Sequence, residues 1–64
     1  MKKRDLAGHI VAKLGRYMPD APRLCYHVRA GGRFFAAPDV EQLAELLVKE
    51  FSQAKLAKIL ADTY

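Results

Sequence analysis

The chain contains one cysteine, Cys25, in 64 residues. An internal disulfide is therefore excluded. With His9 and His27 it does not make a spaced zinc set either, since such sites use Cys-x-x-Cys pairs or Cys and His at fixed intervals. No metal and no cofactor is expected. Glycine is scarce, at four residues. Gly31-Gly32 reads as a turn, because a phosphate loop needs more glycines at fixed spacing ahead of a helix. Long apolar runs are missing, and nothing approaches the roughly 20 residues that span a bilayer. The start, Met1-Lys2-Lys3-Arg4, has the charge of a signal-peptide n-region. Asp5, His9, Lys13 and Arg16 then interrupt any apolar segment. A cytoplasmic protein is expected, where a lone reduced thiol is ordinary. Internal repeats and low-complexity segments are also lacking.

What the chain has is apolar residues, at 52%. One domain covering residues 1–64 is expected. A domain of this size buries only about 60% of its unfolded surface. Its core supplies roughly 3–5 kcal/mol. Disulfides and metals being excluded as staples, the surplus apolar surface points to association, and a homodimer is expected.

Charge is divided unevenly. Residues 1–34 hold eight Lys and Arg against two acids, a net +6. Residues 35–64 hold three Lys against five acids, a net −2, which brings the whole to +4.

The pattern predicts an α+β fold in the order α-β-β-α(-α). Residues 1–4 read as a flexible basic arm. Residues 5–18 read as an amphipathic helix, with Leu6, Ile10, Leu14 and Met18 recurring every four positions. Asp5 suits its N-cap, Arg4 could equally begin it, and Pro19 stops it. Residues 23–37 read as a β-hairpin turning at Gly31-Gly32, which can adopt the positive φ angles of a tight turn. In that register Val28 opposes Phe35, Tyr26 opposes Ala37 and Arg29 opposes Phe34. A two-stranded sheet is marginal alone, so a sheet shared across a dimer axis is expected. Residues 38–63 form one long helix or two short ones. Pro38 suits a first helical position, and Asp39 and Glu41 suit the first turn. Val40, Leu43, Leu47 and Phe51 make one apolar stripe. Leu56, Ile59 and Leu60 make another on the far side, which either a break capped by Ser52 or one long helix whose end packs on a partner subunit would explain.

Phosphate binding needs cations presented together. The candidates are Lys2, Lys3 and Arg4 in the arm and Arg23, Arg29 and Arg33 on or beside the hairpin. A two-stranded ribbon also fits the DNA major groove. The expected function is therefore a small non-enzymatic DNA-binding transcriptional regulator, with DNA favoured over RNA. The alternative is a protein–protein interaction module, a small inhibitor or adaptor of phage or mobile-element type that docks on a larger partner. Phe34, Phe35, Phe51, Leu56, Ile59 and Leu60 are the expected dimer or partner interface. Tyr17, Tyr26, Phe34 and Phe35 offer rings on which bases stack in sheet-based RNA binders, but packing is the commoner use in so small a chain. Cys25 and His27 point to one strand face, as a thiolate–imidazole pair would. No second acid or oxyanion arrangement accompanies them, and no enzyme is expected.

Residues 33–37 as a strand, Pro38-Asp39 opening a helix, and a second amphipathic helix over residues 52–64 together resemble the ribbon-helix-helix repressors. That resemblance covers about half the chain. It implies an intertwined dimer whose paired strands enter the major groove. The upstream helix and first hairpin strand are additional to that family's plan.

Overall fold

The order of elements is α1 (Lys3–Leu14), β1 (Arg16–Tyr17), β2 (Tyr26–Ala30), β3 (Arg33–Ala37), α2 (Val40–Glu50) and α3 (Gln53–Asp62) in the computed structural model, which describes residues 1–63. The fold is α+β: three helices and one antiparallel sheet in the strand order β1-β2-β3.

Helix α1 buries Leu6, Ala7, Ile10 and Val11, a spacing that keeps side chains on one stripe. It starts before Asp5, with Lys2 in the N-cap position and no side-chain cap. Asp5 instead lies in the first turn, where the helix dipole favours an acid. Lys3 and Arg4, expected in a flexible arm, are thus helical. Two contacts hold this end. Arg4 pairs with Glu45 at 2.6 Å and with Glu41 at 3.5 Å, both on α2. The Gln53 amide donates to the Met1 carbonyl.

The other end also differs from expectation. The helix stops at Leu14, because Gly15 has an extended backbone (φ −64°, ψ 145°). Arg16 and Tyr17 then pair with His27 and Tyr26 and add a third strand. Met18 continues this ladder by donating its N–H to the Cys25 carbonyl at 2.6 Å. The fourfold repeat from Leu6 to Met18 therefore crosses from a helix into a strand.

The hairpin pairs Tyr26 with Ala37, Val28 with Phe35 and Arg29 with Phe34. Gly31 and Gly32 have φ +59° and +74°, the left-handed values that a two-residue hairpin turn requires. Successive strand residues point to opposite faces. Val28, Ala30, Phe35 and Ala37 are buried on one face, under the helices.

Asp39, not Pro38, marks the start of α2. Its carboxylate accepts from the Gln42 N–H at 2.8 Å. Pro38 lies just outside, and Val40, at the first helical position, is half-exposed and not part of the core stripe. Leu43 and Leu47 are fully buried. The chain extends at Phe51, and Ser52 caps α3 by accepting from the Lys55 N–H at 3.2 Å. That bend returns Leu56, Ile59 and Leu60 to the core that Leu43 and Leu47 already fill. Two short helices with a bend between them bring both apolar stripes to one interior. No helix among the described residues is long and apolar enough to cross a membrane.

Candidate nucleic-acid interface

The sheet face turned away from the core is built by the alternate residues of each strand. On β2 these are His27 and Arg29, on β3 Phe34 and Ala36, and on β1 Arg16. The register sets them in two rows. Arg16, His27 and Ala36 lie side by side across the three strands, and Arg29 lies beside Phe34. Neighbouring strands are about 4.8 Å apart, and rows two residues apart are separated by about 6.7 Å. None of these five residues is buried.

Phe34 is 59% exposed. The His27 ring meets it edge-on, with centroids 5.2 Å apart. His27 Nε2 donates to the Leu24 carbonyl, which anchors the imidazole. A groove of about 440 Å³ lies here, bounded by Leu14, Arg16, Met18, His27, Arg29 and Phe34. The three strands contain Arg16, Arg29 and Arg33 and no acid. The acids lie on the helices and connecting segments.

The six expected cations are not brought together. Arg29 stands on the open face. Arg33 pairs with Ala30 across the turn and so shares the helix-packed side. Its guanidinium lies 5.3 Å from the Phe35 ring and 5.9 Å from the Phe51 ring, and it bonds Glu50 at 2.8 Å. The pleat, which alternates faces, separates two arginines that flank the same tip. Arg4 is engaged by α2 acids. Lys2 and Lys3 lie at the start of α1, and Arg23 is exposed in the segment before β2. Arg16 is the residue that the sequence reading missed. The glycine directly after Leu14 is the usual mark of a helix end, and it was the available signal.

The expected interface set also divides. Phe35, Phe51, Leu56, Ile59 and Leu60 are buried within the single chain, Leu56 completely. The bend at Phe51 makes this burial possible, and a partner is not required for it. Phe34 alone of that set remains exposed. Cys25 and His27 are each engaged by backbone: the thiol donates to the Pro38 carbonyl at 3.4 Å, and the imidazole bonds Leu24.

Comparison with family models, with curated proteins and with solved structures finds no match to this chain.

Proposed function

We propose that this protein binds nucleic acid through the open face of its sheet and acts as a small non-enzymatic regulator. One observation carries the reading: an acid-free sheet face on which Arg29 stands directly across from an exposed aromatic residue, Phe34, with Arg16 one strand further out. Phosphates are drawn to clustered cations, and each neutralised phosphate releases counterions. The contact set is thus narrower than the full list of basic residues. Arg16 and Arg29 form its centre, and Arg23 is available at the approach. Lys2, Lys3, Arg4 and Arg33 belong to the helical side. DNA is the first ligand to test.

The test is a salt titration of labelled random-sequence DNA by fluorescence anisotropy. An Arg16→Ala/Arg29→Ala double variant is expected to bind more weakly and with a flatter dependence on salt. Absence of low-salt binding by the unmodified protein would remove the reading.

A second reading, self-association, draws on a different observation. β3 is an edge strand. A groove of about 730 Å³ lies between it and α2, walled by Leu24, Pro38, Leu46 and Val48. Exposed strand edges invite pairing with another chain. The α2 wall carries Gln42, Glu45, Leu46 and Lys49, with an acid and a base one turn apart beside a leucine. Glu45 is already paired with Arg4, so the open edge of β3 beside this apolar wall is what makes a second copy of this chain the proposed occupant. Light scattering across a concentration series should detect the dimer, and a monomer at every concentration would remove this reading.

A further inference from the structure

We propose that the open face holds an unpaired nucleic-acid strand, with a base stacked on Phe34 and phosphates at Arg16 and Arg29. The inference rests on the nucleic-acid reading and deepens it from a charged surface to a kind of ligand.

The ring is the first argument. Phe34 and Phe35 are adjacent, yet one is 59% exposed and the other 8%. The edge-on contact with His27 fixes the tilt of the Phe34 ring. His27 is itself bonded to the Leu24 carbonyl, so the imidazole and the Phe34 ring are set side by side on the open face.

The surroundings are the second. Ala36 follows Phe34 on the same face of β3. Its methyl group leaves space along that side of the ring. The groove of about 440 Å³ lies toward β1 and β2, where Arg16, His27 and Arg29 line it together with Phe34, and its volume falls within the roughly 300–1,000 Å³ typical of small-ligand sites.

The third is the placement of charge. Arg29 sits directly across from Phe34 on β2, and Arg16 lies one strand further out and one row along. Both cations are therefore on the same side of the ring. A backbone running over β1 and β2 meets both guanidinium groups while a base reaches across to β3.

Phe34 favours an unpaired ligand. A base inside a duplex is covered by its neighbours and offers only its edges in the grooves. A phenyl ring has no hydrogen-bonding group, and on those edges it can meet only a thymine methyl group. It has a flat face, which suits a base already out of the stack.

The test uses the full chain and three labelled probes at low salt: a twelve-nucleotide oligothymidylate, an abasic strand of equal length, and a duplex of equal length. Phe34→Ala is expected to weaken the oligothymidylate about five- to 150-fold, the range for loss of one stacked base. It should leave the abasic strand unchanged, and Phe34→Trp should restore binding. The Arg16→Ala/Arg29→Ala variant should weaken both single strands alike. Duplex binding as tight as oligothymidylate binding, or a Phe34→Ala effect that is absent or equal on the abasic strand, overturns the unpaired-strand proposal. Either result leaves nucleic-acid binding itself standing. Failure of all three probes to bind removes both.

Discussion

The two faces of the sheet are made from similar residues and have different surroundings. On the helix side, Phe35 meets Phe51 edge-on at 5.7 Å, and Arg33 lies over both rings. On the open side, Phe34 meets His27 edge-on at 5.2 Å, with Arg29 alongside. Each face thus has a phenyl ring, an edge-on aromatic neighbour and an arginine. The difference lies in what covers them. α1, α2 and α3 close over the first face, and Phe35 becomes core. Nothing among the described residues closes over the second. Residue type alone does not decide which face is buried. The pleat and the helices do.

The sharpest way to break this comparison is to truncate one residue on each side. Leu47 is fully buried beneath the sheet. Leu47→Ala removes its contacts and leaves a cavity, at a cost of about 2–5 kcal/mol. A domain of this size has roughly 3–5 kcal/mol in total, so thermal melts followed by circular dichroism should show a largely unfolded protein. Phe34→Ala should cost only about 0.5–1.5 kcal/mol, the worth of its edge-on contact with His27. A loss as large as that at Leu47 would mean that the open face is covered in solution and that the distinction between faces is false.

The turn that joins the two strands gives a second, smaller test. Gly31 and Gly32 both have positive φ, which costs an alanine about 1–2 kcal/mol. Their surroundings differ. A Cβ on Gly31 would come within 2.9 Å of Phe51 Cζ and 3.2 Å of Ile59 Cδ1, whereas one on Gly32 would meet open space. Gly31→Ala should therefore cost about 2–4 kcal/mol, adding overpacking of the core to backbone strain. Gly32→Ala should cost only the strain. Equal losses in urea denaturation would show that the tip does not rest on the core.

The hairpin and its register are legible in the sequence because strand alternation and a Gly-Gly turn agree with one another. The shift of the apolar stripe after Phe51 is legible too, but whether it means a bend or a partner is not. Ser52 offers a cap within its own turn, but whether α3 folds back depends on its packing against α1, which is tertiary. β1 left no signal. Two residues have no period, and Leu14 and Met18 continue the spacing of the helix before them. Arg16 was lost with it. The opposed facing of Arg29 and Arg33 could have been read from the same alternation that placed Val28 opposite Phe35. Grouping them by nearness to the tip overlooked the pleat.

The finest test compares those two arginines. Arg33 touches two rings and Glu50. Each cation–π contact contributes about 0.5–1 kcal/mol at exposed sites. The ion pair adds little, about 0–1 kcal/mol, since Arg33 and Glu50 are 54% and 38% exposed. Arg33→Ala should thus lower stability by about 1 kcal/mol and leave nucleic-acid affinity nearly unchanged. Arg29→Ala should do the reverse. Its stability should stay within about 0.5 kcal/mol. The slope of log affinity against log salt should fall by about 0.7–0.9, the share of one phosphate contact. If the two variants behave alike in both measurements, the hairpin tip acts as one cationic cluster and the face that each arginine occupies is irrelevant. If they divide as expected, an arginine beside an aromatic ring stabilises the fold on one face and binds ligand on the other, and the helices decide which.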